Sequence, residues 1–473
     1  MKKIHKFLLA AVFTGFFSAC DYSAINVSPD SPATATLSSL LASSEVSIAY
    51  TVGADISQFT NIFTQHLTGT VLQAAAWDRY NVDAEAGSPF NSFYSGPMQD
   101  LVTLLRSASE TGAAGYAGIS KILLAYSLGT MTSLYGDIPY SEAFQGASNP
   151  HPEFDRQEAI YEEIQKLLSE AITDLESAGP GTMPGSDDFI FQGNASKWIA
   201  SAYSLKARYY LHLANADANA AAKALEALYS GNTYRGISGS NNDCEVKFGT
   251  GVTEASPWSQ QIIRRNDFRL GAVFISLLKT PSDDPRLAFY ASPNASGGYS
   301  GSVAGLGNSA DSELGPFFRN PASAVQLISF SETKFIEAEA RWRINPADRA
   351  IQQAVSEAIR ASVNRVTSSS LPASAVSAFV DAKVRQLEGN SADMLRHIIT
   401  QKYIALFTQP EVWTDWRRTG YPDLEPAFGG TNGLNPGGLI PRRMPVPLNE
   451  RLNNPNSPAD EPSLQSPRFF WDR

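Results

Sequence analysis

Apolar and polar positions alternate with the period of an α-helix through most of this chain. In the clearest segment polar residues fill one face, and the apolar positions recur every three or four residues: Ile160, Ile164, Leu167, Leu168, Ala171 and Leu175. Asp155 and Glu158 have the spacing of a capping box at its start, and Gly179 is suited to its end. The pattern therefore predicts a helix over about 156–178.

The same periodicity predicts further helices along the chain. They lie at about 37–73, 92–109, 113–134, 195–214, 217–229, 332–343, 347–366, 374–387 and 392–408, with Ser374 as an N-cap. Most of them form four antiparallel pairs of the size of tetratricopeptide units, at about 113–178, 195–230, 332–366 and 374–408. Strand-like alternation is scarce. The predicted fold class is therefore all-α (mostly α), built from tetratricopeptide-like helix pairs that carry long irregular segments.

Two long segments lack helical periodicity. Residues 231–330 are dense in Gly, Ser, Asn, Asp and Pro with Tyr and Phe between them, and residues 409–473 are Pro-rich and aromatic. Irregular segments of this length inside a domain are usually functional. We predict a single domain over 37–473, in which a helical scaffold carries a loop-rich insert at 231–330.

The chain begins with the pattern of a bacterial export signal. Three lysines within the first six residues precede an apolar run, Phe7 to Phe17, that is too short to span a bilayer. Ser18 and Ala19 are small residues of the kind that a signal peptidase requires before its cut. Residues 1–19 are therefore predicted to be a signal peptide.

Cys20 follows these small residues directly, and the sequence Phe-Ser-Ala-Cys resembles a bacterial lipobox. Several acyl chains on a cysteine and the new N-terminus would hold a protein on a membrane. Residues 20–36 are rich in Ser, Ala, Thr, Asn and Pro, which is typical of a flexible tether. The alternative is an ordinary secretory signal, cut near Ala19, that leaves Cys20 as a free thiol.

The net charge and the number of cysteines argue against several kinds of binding partner and site. The chain has 37 Lys+Arg against 47 Asp+Glu, and without the three lysines of the signal the balance is 34 against 47, a net charge of −13. An acidic surface argues against nucleic acid and against peripheral binding to anionic lipid, so membrane contact is expected through the lipid anchor only. The chain's two cysteines, Cys20 and Cys244, exclude a disulfide framework and a cysteine-based zinc site.

Four groups of motifs resemble those of one family. They are LYGDIPY at 134–140, the segment 198–213 with KARYY at 206–210, DPRL at 284–287, and a C-terminal group of QKYIALF at 401–407, WTDWRRTGYP at 413–422 and PRRMPVP at 441–447. Their order and spacing agree across nearly the whole chain. The motifs resemble signatures of the SusD/RagB family of nutrient-binding outer-membrane lipoproteins.

The motif residues themselves are expected to be structural. Core anchors are expected at Trp413, Trp416 and Tyr421. Arg417 and Arg418 are expected to bond loop carbonyls or carboxylates such as Asp415 or Asp423.

The resemblance implies a cell-surface lipoprotein of Bacteroidota-type bacteria. Such a protein captures oligosaccharides, or less often peptides, for a SusC-like TonB-dependent transporter in the outer membrane and catalyses no reaction. The residues leave two alternatives open. One is a secreted α-helical glycoside hydrolase, which needs two carboxylates facing each other across a cleft, and the other is a helical-repeat scaffold lipoprotein. No motif for hydrolysis or nucleotide binding is readable, and no catalytic residue or cofactor is predicted.

A glycan site needs exposed aromatic platforms with polar side chains at its rim. Seven residues are predicted to line the ligand site: Trp77, Asp78, Arg79, Tyr80, Tyr94, Trp258 and Tyr290. The first four follow a predicted helix end, and the last two lie in the loop-rich insert. The alternative for each aromatic residue is packing beneath its own loop.

Metal binding has little support in the sequence. The acid pairs Asp187–Asp188 and Asp283–Asp284 have the oxygen ligands that Ca²⁺ prefers, but paired acids in loops are usually only solvated. No metal site is predicted. His212 continues the apolar stripe of its helix and is expected to be a hydrogen-bonded, partly buried histidine.

Overall fold

The computed structural model describes residues 35–82, 88–458 and 463–472. The predicted signal peptide, Cys20 and most of the tether lie outside these residues. Helices dominate the described chain. In chain order they are α1 (Leu37–Thr51), α2 (Ser57–Phe63), α3 (Leu72–Asp78), α4 (Ser88–Ser95), α5 (Pro97–Thr111), α6 (Ala114–Tyr135), α7 (Gln157–Ser177), α8 (Ala195–His212), α9 (Ala220–Leu228), α10 (Pro257–Arg264), α11 (Ala272–Lys279), α12 (Leu287–Tyr290), α13 (Pro316–Arg319), α14 (Phe330–Ile344), α15 (Ala350–Val366), α16 (Ala373–Arg385), α17 (Ser391–Ala405), α18 (Glu411–Thr419) and α19 (Leu448–Asn453).

The strands are short and form three two-stranded antiparallel sheets. In chain order they are β1 (Leu67–Gly69), β2 (Tyr229–Ser230), β3 (Thr233–Tyr234), β4 (Cys244–Val246), β5 (Phe268–Leu270) and β6 (Val325–Ile328). β1 pairs with β5, β2 with β3, and β4 with β6. The predicted all-α (mostly α) class is confirmed.

The helix with the clearest apolar pattern, α7, buries that whole stripe against α6. Gly118 of α6 lies so close that a Cβ on it would sit 2.7 Å from the Cγ of Leu175. The predicted capping box at the start of α7 is wrong. The backbone N–H of Gln157 donates to the carboxylate of Asp137 (2.8 Å), whereas Asp155 accepts from the N–H of Tyr140. The cap comes from the turn after α6 because tertiary packing brings that turn to the start of α7.

Three of the predicted helix pairs are present as packed neighbours: α6 with α7, α8 with α9, and α14 with α15. The fourth differs. Although α16 and α17 both form, α16 packs chiefly on α15 and α17 on α14, because Val376, Val380 and Ile398 join the apolar cluster of α14 and α15. Ser374 is not an N-cap, since α16 begins at Ala373 after Pro372.

Two of the predicted early helices are interrupted. The first continues from α1 through a π-helical turn, Val52–Ile56, and ends at Phe63, where β1 follows after Gln65 takes a left-handed φ of 59°. The second breaks at Gly96, and Pro97 starts α5 because proline is favoured in a first helical turn.

The aromatic and basic residues of the C-terminal motif hold the end of the chain against the helices. Trp413 is fully buried, and its indole N–H donates to the carbonyl of Pro441 (2.9 Å). The Arg417 guanidinium lies 3.9 Å from the centre of the Trp413 ring. Arg418 pairs with Asp415 (2.6 Å) and also with Glu339 of α14. Asp423, the other carboxylate considered from the sequence, pairs with Arg396 instead.

His212 at the end of α8 is hydrogen-bonded, as predicted, and is buried more deeply than the partly buried side chain that was expected. Its Nδ1 lies 3.0 Å from the Tyr161 hydroxyl, and its Nε2 lies 2.7 Å from a carboxylate oxygen of Glu411.

Candidate functional site

The segment after α3 forms the centre of the candidate site. α3 ends at Asp78, and Tyr80 takes a left-handed φ of 56°, which is uncommon for a residue other than glycine. The backbone N–H of Tyr80 donates to the carbonyl of Trp77 (2.8 Å), and that of Asn81 to the carbonyl of Ala76 (2.9 Å). This tight turn points successive side chains in different directions.

Asp78 fastens the turn to a loop of the insert, residues 302–308. Its carboxylate is buried and accepts from the backbone N–H of Gly305 (2.8 Å). Burial raises the pKa of Asp78 to about 7, against the opposing effect of the Gly305 amide. Gly305 itself has a φ of 84°, and a Cβ on it would lie 2.1 Å from the carbonyl oxygen of Phe428. Glycine is therefore required where these segments meet.

Tyr80 fastens the same turn to a second loop, residues 427–439. Its ring is buried edge-on against Phe63, with the ring centres 6.0 Å apart, and its hydroxyl accepts from the backbone N–H of Ala427 (2.9 Å). The Asn432 side chain donates to the carbonyl of Arg79 (2.9 Å). Three segments that are distant in sequence are thus held together at one surface.

Arg79 is the one exposed side chain among the seven residues of the predicted site. Its Nε donates to the carbonyl of Gly305 (3.1 Å), which orients the guanidinium over the junction of the three segments. The aromatic members of the predicted site are buried, except for Tyr94, which is half-buried. Trp77 is only 8% exposed and packs edge-on against Phe59, with the ring centres 6.3 Å apart.

The two aromatic residues predicted from the insert lie elsewhere in the core. The Trp258 indole N–H donates to the Ser57 hydroxyl (3.0 Å), and the Tyr290 hydroxyl donates to the carbonyl of Ile404 (3.3 Å). Both line a small internal cavity of about 50 Å³. Tyr94 is half-buried, and its hydroxyl donates to the carbonyl of Pro139 (2.6 Å). The structure does not bring these three residues to the surface formed around Arg79.

Four of the aromatic side chains predicted to contact a ligand are therefore buried. Rings as enclosed as those of Trp77, Tyr80, Trp258 and Tyr290 present no open face on which a sugar can stack. Their direct contact with a ligand stays a prediction. In the structure each of the four side chains packs or forms hydrogen bonds inside the protein.

Phe428 was not among the residues predicted from the sequence. Its side chain is 69% exposed, and among the residues that the structure describes Phe189 is the other Phe, Tyr or Trp whose side chain is largely exposed (48%). Its backbone N–H donates to the carbonyl of Ala304 (3.0 Å), which places it at the same junction. The sequence feature that could have indicated an exposed ring is a single aromatic residue followed by Gly429 and Gly430 in an irregular segment. Neighbouring glycines have no side chains that could cover the ring.

One acid of each pair, Asp188 and Asp284, has a structural role. Asp188 is buried and accepts from the backbone N–H groups of Ile190 and Phe191 (both 2.9 Å) and from the indole of Trp198 (2.8 Å). Asp284 forms a buried ion pair with Arg286 (2.7 Å). Within the described residues, no three or more His, Cys, Asp or Glu side chains are grouped so that they would hold a metal ion.

No helix in the described ranges combines the length and the apolar character needed to cross a bilayer.

Solved structures share this fold over nearly the whole chain. A chitin-binding protein is 22% identical, with a TM-score of 0.79, and the match covers 93% of this chain and 100% of that protein. A SusD/RagB family protein from Bacteroides thetaiotaomicron is 20% identical (TM-score 0.76, 93% and 99% covered). A chitin-binding SusD homologue from Flavobacterium johnsoniae is 18% identical (TM-score 0.75, 92% and 98% covered). At these identities the matches establish the fold.

No curated protein sequence matches the chain. A family model does: the SusD-like family, described as "Starch-binding associating with outer membrane", matches residues 29–447. That span includes all three segments of the candidate site. The chain therefore belongs to the SusD-like family.

Proposed function

We propose that this protein is a surface-exposed lipoprotein that captures glycans and delivers them to a SusC-like TonB-dependent transporter of the outer membrane. Membership of a family described as starch-binding and associated with the outer membrane supports the ligand class and the location. Two structural relatives are named as chitin-binding, which supports a polysaccharide ligand further. The transporter and the delivery step rest on the family resemblance of the sequence motifs.

The observation that carries the proposal is the junction around Phe428. An exposed aromatic ring offers the flat apolar face on which the C–H side of a sugar packs. The Arg79 guanidinium at the same junction supplies donors for hydroxyl groups. Asp78 and Tyr80 hold the backbone beneath through bonds to Gly305 and Ala427. A ligand would therefore meet a preformed surface and lose little affinity to ordering of the loops.

Capture without catalysis fits the chemistry of this junction. A glycoside hydrolase needs two carboxylates that reach the scissile bond. The Asp78 carboxylate at this surface is buried and already accepts from a backbone amide. We infer that the protein binds its glycan and leaves it intact. Incubating the purified protein with the glycan that it binds, followed by chromatography of the sugar, tests this, and shortened products would overturn it.

The binding proposal is tested by titrating the full chain and its Phe428→Ala variant with glycans selected on an array. Loss of the platform is expected to weaken binding by about 1–2 kcal/mol, or about tenfold. Phe189→Ala is the matched control, because Phe189 is also exposed but lies on the loop that holds Asp188. Equal affinities of the Phe428→Ala variant and the parent would show that the glycan binds elsewhere, and binding of no glycan would contradict the function itself.

A further inference from the structure

The junction around Phe428 is surrounded by exposed aliphatic side chains. Six large apolar residues, two at the start of α3 and four on the loops 302–308 and 427–439, are between 48% and 75% exposed: Val71, Leu72, Val303, Leu306, Phe428 and Leu439. We call these six residues the apolar surface. Side chains of this size are normally buried when they can be, and a group of them on one surface marks a binding site.

Contacts between the segments place these residues near one another. Gly307, next to Leu306, lies so close to the chain before Val71 that a Cβ on it would be 2.9 Å from the carbonyl oxygen of Gly69. The backbone N–H of Phe428 donates a hydrogen bond to the carbonyl of Ala304, which lies between Val303 and Gly305 in sequence. The side chain of Asn435 donates to the carbonyls of Leu439 (2.7 Å) and Gly430 (3.2 Å), which holds the far end of the 427–439 loop to its start.

The chemistry of these side chains selects among sugars. An aliphatic side chain gives a sugar hydroxyl no hydrogen bond, so an unsubstituted sugar that covers it loses water contacts without replacement. A methyl group on the sugar gains from the same contact, because apolar area leaves water on both sides. We propose that the apolar surface selects glycans whose sugars carry acyl groups, such as N-acetyl or O-acetyl substituents. This inference rests on the proposed function, since it names the substrate class of that same site.

Polar groups beside the apolar residues favour such a ligand over a protein partner. Thr70, Asn308 and Thr431 stand close to Val71, Leu306 and Phe428 in sequence, and Asn308 and Thr431 are exposed. Arg79 adds a charged group at the junction. The core of a protein interface is depleted in charge, whereas an acylated sugar presents methyl groups and hydroxyls side by side.

The test compares pairs of probes that differ in acylation. The full chain is titrated with chitohexaose and cellohexaose, and with acetylated xylan and the same xylan after removal of its acetyl groups by alkali. Each acetyl methyl that is buried is expected to raise affinity about fourfold, so the acylated member of a pair should bind at least about 16-fold more tightly when two or more are covered.

The variants Leu72→Ser and Leu306→Ser are expected to reduce this preference about fourfold each, with melting temperatures unchanged because both side chains are exposed. Leu452→Ser is the matched control, since Leu452 on α19 is 74% exposed and Leu72 is 75% exposed. Equal affinity for both members of each pair, or an undiminished preference in the two variants, would overturn the inference. Binding of an unacylated glycan that depends on Phe428 would overturn it and leave the proposed function standing, whereas binding of no glycan removes both.

Discussion

The carboxyl group of Asp78 links two segments of the candidate site without contact with water. Burial raises its pKa to about 7 from its usual value of 3.8. The unfolded chain releases this proton near pH 4, whereas the folded chain keeps it until about pH 7. Between these values the folded state binds more protons, so this group makes the free energy of unfolding fall as the pH rises.

The Asp78→Asn variant is expected to lose this pH dependence, because the amide keeps an oxygen for the Gly305 N–H but has no proton to release. Relative to the parent, its free energy of unfolding should rise by about 2–4 kcal/mol between pH 4.5 and pH 8. Urea denaturation of both proteins at the two pH values measures the difference. The other buried acids, such as Glu45 and Asp243, are unchanged in the variant and cancel. Parallel pH profiles would mean that the Asp78 carboxyl ionises as in water.

For single residues of the candidate site, the sequence could not predict which side chains are exposed. Trp77 and Tyr80 have the composition of a sugar platform, and nothing local distinguishes an exposed ring from a buried one. Tyr80 is buried because its hydroxyl meets the N–H of Ala427, which lies 347 positions further along the chain. The same long-range packing leaves Phe428 exposed, so the contacts that decide whether a ring is buried or exposed are not visible in the local sequence.

Single helices were far more predictable, because their apolar period is a local property of the sequence. The stripe of α7 is buried at every predicted position, from Ile160 to Leu175. Its cap was mispredicted for the opposite reason, since Asp137 reaches Gln157 only through the packing of α6 on α7. The break at Gln65 likewise involves a contact of the folded chain, since the Gln65 side chain donates to the carbonyl of Glu425, whereas the break at Gly96 follows from the proline next to it.

The α7 stripe yields a direct test of the scaffold. Leu168 is fully buried, so Leu168→Ala should lower the free energy of unfolding by about 2–5 kcal/mol through lost apolar contact and the cavity left behind. Glu162→Ala on the same helix is the control, because Glu162 is exposed and its replacement should change stability by less than about 0.5 kcal/mol. Equal denaturation midpoints for the parent and the Leu168→Ala variant would mean that α7 does not pack as described.

At the scale of the whole molecule, the N-terminal pattern predicts how the protein is held in place. Cys20, after an apolar run and two small residues, is expected to carry lipid. Cys20→Ala should therefore abolish incorporation of labelled palmitate and move the protein from the membrane fraction to the soluble fraction. The parent chain, labelled in parallel, is the reference. Unchanged labelling and fractionation in the variant would favour the ordinary secretory signal and a different mode of attachment.

We expect the protein to bind a transporter in the outer membrane. A tether at residues 20–36 would keep a domain of this kind close to the membrane, where a high local concentration makes even a weak contact with a transporter persist. Purification of the protein from membranes of its source organism in mild detergent should therefore also yield a large TonB-dependent barrel. The Phe428→Ala variant should retain this partner if glycan and transporter use separate surfaces, whereas loss of both would place the transporter at the apolar surface. Repeated isolation of the protein alone, with its lipid label intact, would leave a glycan-binding lipoprotein without the proposed role in delivery.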